Sequence, residues 1–292
     1  MAGAEGEKIE LIIDKSFLDG ASRREVLGLY NNYFPIMPDV LFLELISTDD
    51  LSRMRCFTKL PDSANPVARL PGIGELLRYE IDNGKPCTPL SERCLPERYQ
   101  FNPRLRDGAF EFLGEVREER DAMIAQIQNE AREFPETCMM VRDFFPEFDG
   151  IQGDEWPCAT EVARKKVACD SNFVKEIYNS FLEEQNFPSG WPRAGQINGK
   201  WAFFRWVQAR LLAALRLFLK YEGAIPPNLG APFWTRAEHS LIDTYYAIFA
   251  ALAGALASAD RAIIEDFKLL SPDGNVVVPN GLRKQLHGDR QS

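Results

Sequence analysis

The chain has 292 residues with a formal net charge of -9 and a pI near 5.0, enough for one large α/β domain or two modest ones with a real core. Apolar residues make up 45% and charged residues 26%, a globular rather than a disordered composition. The acidic balance argues against a protein that coats nucleic acid, because sequence-independent affinity for phosphates comes from clustered Lys and Arg. An enzyme that engages a few phosphates through metal ions is left open.

The first block, to about Asp50, opens on the apolar run Ile9–Ile13, read as a buried strand that ends at Asp14. Ser22 followed three residues later by Glu25 is a capping box, starting a helix through about Tyr33. Pro35–Pro38 leaves room for only a very short strand. Asp39 then begins a second helix, Val40-Leu41-Phe42-Leu43-Glu44-Leu45, which places Glu44 inside an apolar helical turn.

The middle block, about Leu51 to Gly230, is first irregular and rich in Pro, Gly and Cys, then helical. Helices are expected over Leu105–Phe134, Val162–Leu182 and Trp201–Tyr221, with no convincing strand and no internal repeat. The last of these is apolar enough to test as a membrane span. Arg205, Arg210, Arg216 and Lys220 interrupt it, and a charge near a bilayer centre costs about 2.5–3.5 kcal/mol even on the lenient scale. It reads as a buried amphipathic helix with Arg205, Arg216 and Lys220 on one side. Glu111, Glu115, Glu118 and Glu119 read as a solvated helix face.

The third block returns to α/β grammar. Thr235 is expected to cap a helix through about Gly254 that contains His239 and Asp243. Ala255–Asp260 reads as a short strand delivering an aspartate, Arg261–Asp266 as a short helix, and Phe267–Leu270 as a further strand closed by Ser271-Pro272-Asp273-Gly274. The tail from Asn280 is polar and expected to fray. None of the six cysteines forms a C-x-x-C pair, and His239 and His287 are too few for a Cys/His zinc pattern. With small and acidic residues at the start in place of a signal peptide, reduced thiols and a cytoplasmic location are expected.

Asp14 and Asp260 stand at strand ends, which in an open parallel sheet meet at the edge where ligands bind. Glu44 and Asp243 interrupt apolar helical runs, where a carboxylate is costly unless paired or bound to a cation. Four such groups converging on one edge suit a hard, oxygen-loving Mg²⁺ or Mn²⁺. Taken singly, Asp14 and Asp260 are also ordinary helix caps. A haloacid-dehalogenase phosphatase would carry a second aspartate two residues after the first, where Ser16 stands.

The segment Leu11-Ile12-Ile13-Asp14-Lys15-Ser16 resembles the opening strand of the PIN-domain nucleases. Pro35–Leu45, ending in Glu44, resembles that family's short second strand and helix. Asp243 through Ser258-Ala259-Asp260 resembles its later helix, glycine, short strand and Thr/Ser-x-Asp ending. The resemblance implies a three-layer α/β/α sandwich with a central, mainly parallel sheet, built from residues 1–50 and 231–280. Residues 51–230 would be a mostly helical insertion and 281–292 a polar tail. It further implies that Asp14, Glu44, Asp243 and Asp260 bind Mg²⁺ or Mn²⁺, with Ser16 and Ser258 as supporting hydroxyls. The activity implied is hydrolysis of RNA to 5′-phosphate and 3′-hydroxyl ends. Single-stranded RNA would fit a narrow acidic groove flanked by Arg205, Arg216, Trp201 and Trp206. The competing expectation is a non-catalytic PIN-like scaffold whose helical insert binds a protein partner or a second copy.

Overall fold

A computed structural model describes residues 8–95, 102–107, 114–184, 190–221, 225 and 229–281. Five strands, β1 (Ile9–Ile13), β2 (Tyr33–Pro38), β3 (Ala68–Leu70), β4 (Ala255–Ala257) and β5 (Asn275–Val277), form one all-parallel sheet in the order β3-β2-β1-β4-β5. The expected first strand and the expected strand before Asp260 are therefore neighbours. Ile12 and Ile13 pair with Leu256 and Ala257, and the Asp14 N–H donates to the Ala257 carbonyl at 3.0 Å. The three residues of β4 are buried on both faces, which fits an unalternating apolar run in a parallel sheet.

Eleven α-helices connect the described strands: α1 (Lys15–Gly20), α2 (Arg23–Asn32), α3 (Asp39–Ser47), α4 (Asp50–Phe57), α5 (Ile73–Asn83), α6 (Gly114–Phe144), α7 (Trp156–Cys169), α8 (Ser171–Glu184), α9 (Ala202–Lys220), α10 (Ala231–Ala253) and α11 (Arg261–Leu270). The capping box at Ser22 is present, with Ser22 and Glu25 each accepting the other's backbone N–H. Gly254 ends α10 at φ +85°, a left-handed conformation that only glycine adopts without strain. It turns the chain directly into β4.

Several expectations are corrected. Phe267–Leu270 is not a strand: Ile263, Phe267 and Leu270 share one buried face of α11, and spacing by four and three outweighs the short apolar run. The edge strand comes one turn later, at Asn275–Val277. The middle segment does hold a strand, β3, which pairs Ala68 to Leu70 with Ile36 to Pro38; three residues are too few for alternation to reveal. Helix α10 starts four residues before Thr235, with Pro232 in its first turn where a missing N–H costs nothing. Asp170 breaks the expected Val162–Leu182 helix in two by accepting the Asn172 and Phe173 N–H groups at 3.0 Å. Helix α6 runs ten residues past Phe134, through Pro135. Most of the polar tail lies outside the described residues.

One continuous hydrophobic core runs from β1 and β4 through α10 into α9, α7 and α6. Helix α9 is its central column, with thirteen of its residues buried. No helix among the described residues is long and apolar enough to cross a membrane. All six cysteines are free thiols.

Candidate active site

The chain leaves β1 for β2 and β3 on one side and returns through β4 and β5 on the other. The strand order therefore reverses between β1 and β4, where open parallel sheets leave a crevice beyond their carboxyl ends. Asp14 and Asp260 follow those two strands. Each is also the N-cap of the next helix. Asp14 Oδ1 accepts the Phe17 N–H at 2.7 Å, and Asp260 Oδ1 accepts those of Ala262 and Ile263 at 2.7 and 3.3 Å. Capping thus holds both carboxylates at the reversal point; Asp260 Oδ2 keeps no donor among the described residues, whereas both oxygens of Asp14 accept hydrogen bonds.

Two serines tie these ends together. Ser16 Oγ donates across both Asp14 oxygens, at 2.8 and 2.9 Å, and accepts the Ala259 N–H at 2.8 Å. Ser258 Oγ donates to Asp14 Oδ2 and accepts the Asp260 N–H at 3.0 Å. A continuous hydrogen-bonded link therefore joins the Asp14 carboxylate to the Asp260 backbone. Asp14 is 1% exposed. Burial pushes its carboxyl up to about 6 against these hydrogen bonds, and the Asp260 charge pushes the same way.

Glu44 enters from α3 and Asp243 from α10. Burial raises the Glu44 carboxyl, while the Tyr246 O–H, donating at 2.5 Å, and the nearby Lys15 charge favour its ionised form. Asp243 makes no hydrogen bond or ion pair with a described residue. Burial first, then Asp260, Glu44 and Asp266, drive it up to about 7, with Arg216 alone opposing. All four expected carboxylates thus share one electrostatic field. Tyr246 and Lys15 belong to the same site and carry no motif of their own. Only their spacing could have marked them: Tyr246 lies one helical turn beyond Asp243, and Lys15 follows Asp14.

The flanking expectations fare differently. Arg216 lies beside Asp243 and ion-pairs with Asp266. Arg205 does not reach the site. It is spent on the carbonyls of Gly199 and Leu270, at 2.9 and 2.7 Å, and on Gln208. Leu270 ends α11 and Asp260 caps its start, so Arg205 sits about 15 Å away at 1.5 Å per residue. Trp201 is buried and Trp206 packs under Arg210, so neither offers a face to a base. His239 is exposed and has no bond to Asp243. Glu118 and Glu119 are exposed as expected, although Glu119 reaches Arg69 at 3.5 Å. A cavity of about 220 Å³ is walled by Asp39, Val40, Ile73, Met123, Tyr245 and Phe249 and by none of the four carboxylates.

Among the described residues, no three acidic, His or Cys side chains already stand close enough to chelate a metal ion. An ion held mainly through water would not need such a trio. Mg²⁺ takes only one or two carboxylates directly and keeps several waters. Both oxygens of Asp243, Oδ2 of Asp260 and Oε1 of Glu44 have no protein donor among the described residues. A half-buried carboxylate bordered by other carboxylates, as Asp243 is, favours a proton or a cation. Compared with protein-family models, curated proteins and solved structures, the chain shows no match.

Proposed function

We propose that this protein is a metal-dependent nuclease of the PIN type, hydrolysing single-stranded RNA at the carboxylate cluster. The observation that carries this reading is Asp243. It is half-buried, lacks any hydrogen-bonding partner among the described residues, and is crowded by three other carboxylates at the reversal point of a parallel sheet. A half-buried aspartate that no described protein group pairs, set in a crevice among other carboxylates, is a candidate for binding a cation. The strand order supports the same fold family. With right-handed crossovers, that order would put α2 to α4 and α11 on opposite faces, as three layers require.

In this reading Asp243, Glu44 and Asp260 hold Mg²⁺ or Mn²⁺ together with Asp14. A bound ion of this kind neutralises charge on the scissile phosphate and lowers the pKa of a coordinated water. Ser16 and Ser258 orient Asp14, Tyr246 orients Glu44, and the low-dielectric wall of α10 strengthens each of these interactions. A second reading, a PIN-like scaffold that binds a protein partner or a second copy through the middle segment, draws on the exposed Met139 of α6 and Val162 of α7. The crowding at Asp243 weighs against it, because a scaffold gains nothing from four crowded carboxylates.

The test is incubation of the purified chain with mixed-sequence single-stranded RNA in millimolar Mn²⁺, with excess EDTA and Asp243→Asn as controls. Cleavage lost in both controls is the expected result. Cleavage that survives either one, or no cleavage by the wild type, would sink the nuclease reading.

A further inference from the structure

Beside Asp243, three helices bring together a second charge cluster that the carboxylate site does not use. Asp266 of α11 is buried, its side chain 7% exposed, and it holds two guanidinium groups. Arg216 of α9 pairs with Oδ2, and Arg164 of α7 lies 3.4 Å from Oδ1. Each arginine thus takes one oxygen of the same carboxylate, which sets the two side by side. Their side chains remain 22% and 34% exposed for Arg164 and Arg216, so neither is sealed from solvent.

A buried carboxylate is well served by one bidentate arginine. Two arginines on a single carboxylate leave one positive charge over, shared between Asp243, which Arg216 faces, and exposed Glu161 at 3.9 Å from Arg164. That charge lies where Asp243 feels Arg216 and Asp266 directly. In a protein of net charge -9, paired guanidiniums at the margin of the site are placed to meet an anion. The planar fork of arginine suits phosphate oxygens in particular.

We propose that Arg164 and Arg216 form a phosphate clamp for the strand being cut, gripping a phosphate next to the scissile one, with Asp266 as the positioning residue that holds the two forks together. This rests on the nuclease reading for its substrate, but the clamp is testable without cleavage. The contact is made equally in ground and transition state, so losing it weakens KM and spares kcat.

The experiment compares wild type with Arg164→Gln/Arg216→Gln and with Arg164→Lys/Arg216→Lys on a dye-labelled single-stranded RNA oligonucleotide. Cleavage in Mn²⁺ and binding in EDTA are both measured across a salt series. One phosphate neutralised on a single strand is worth a slope of about 0.7 in log affinity against log salt. The glutamine pair is expected to lose that slope, to bind or show a KM about 5-fold weaker at 0.1 M salt, and to keep kcat within about twofold. The lysine pair restores most of the slope. Asp266→Asn is expected to fall between them with its melting curve close to wild type.

A glutamine pair with unchanged KM and slope overturns the clamp while leaving the nuclease reading standing. So does a loss confined to kcat and melting temperature, which would make the trio purely structural. If the wild type cuts nothing yet binds RNA with a slope that needs the two arginines, the clamp stands and the nuclease reading falls. If it neither cuts nor binds, both fall.

Discussion

Helix α9 meets one buried and one half-buried carboxylate toward its two ends and treats them oppositely. At its start, Glu80 of α5 is 0% exposed and accepts the N–H groups of Cys87, Ala202 and Phe203 at 3.0, 2.7 and 3.1 Å. An anion at a helix N-terminus gains both those bonds and the helix dipole. Near its other end, Asp243 of α10 faces Arg216 but accepts no hydrogen bond, and three carboxylates press on it. Burial raises both acids. What separates them is satisfaction: Glu80 is a mortar joint between α5 and α9, whereas Asp243 still lacks a partner.

The sharpest way to break this contrast is catalytic. Asp243→Asn or Asp14→Asn is expected to lower Mn²⁺-dependent RNA cleavage by about 10³-fold, because several kcal/mol of charge stabilisation leave with a metal ligand. Glu80→Gln, if folded, should leave the rate almost untouched. Equal losses in single-turnover assays of the two variants would erase the distinction.

Stability should reverse the order. Glu80→Ala leaves three buried donors without an acceptor and is expected to cost about 3 kcal/mol in urea unfolding. Asp243→Asn removes only a poorly solvated charge, so the metal-free variant should be more stable than wild type at pH 8, by about 2 kcal/mol. A variant less stable than wild type at that pH would show that Asp243 has a structural partner.

The pH dependence follows from the same shifts. Asp14 and Asp243 rise from 3.8 to about 6 and about 7 in the fold, so between those limits the folded state holds more protons than the unfolded one. Their contribution is complete below pH 4, declines as pH rises through 6 and 7, and is gone above that. Mn²⁺ needs the ionised forms and should reverse the decline near neutrality. At a hundred times its dissociation constant it adds about 2.7 kcal/mol, or a melting temperature higher by about 5 °C. Superimposable melting curves with and without Mn²⁺ at pH 7.5 would leave the scaffold reading ahead.

The smallest effect concerns the link between the two strand ends. Ser258→Ala removes the hydroxyl shared by Asp14 Oδ2 and the Asp260 N–H. It is expected to cost about 1.5 kcal/mol and to push the Asp14 carboxyl higher still, an effect readable from that carboxyl's chemical shift against pH. An unmoved Asp14 titration would mean that Ser16 and Phe17 hold it alone.

What the sequence determined by itself was local. Ile9–Ile13 ending in Asp14, the Ser22–Glu25 capping box, and Gly254 before Ala255-Leu256-Ala257 each write their conformation within a few neighbouring residues. Parallel pairing of β1 with β4 then follows from two apolar runs that each end near an aspartate. The tertiary structure alone decided the rest, because it depends on which acceptors come near from far along the chain. A helical wheel puts Arg205 and Arg216 on one side of α9, but it cannot show that Leu270 and Gly199 absorb the first while Asp266 and Asp243 meet the second. The same distance in sequence hid β3, Tyr246 against Glu44, and the Arg164–Asp266–Arg216 cluster. Propensity and capping act over one turn of helix, whereas charge and burial act through space.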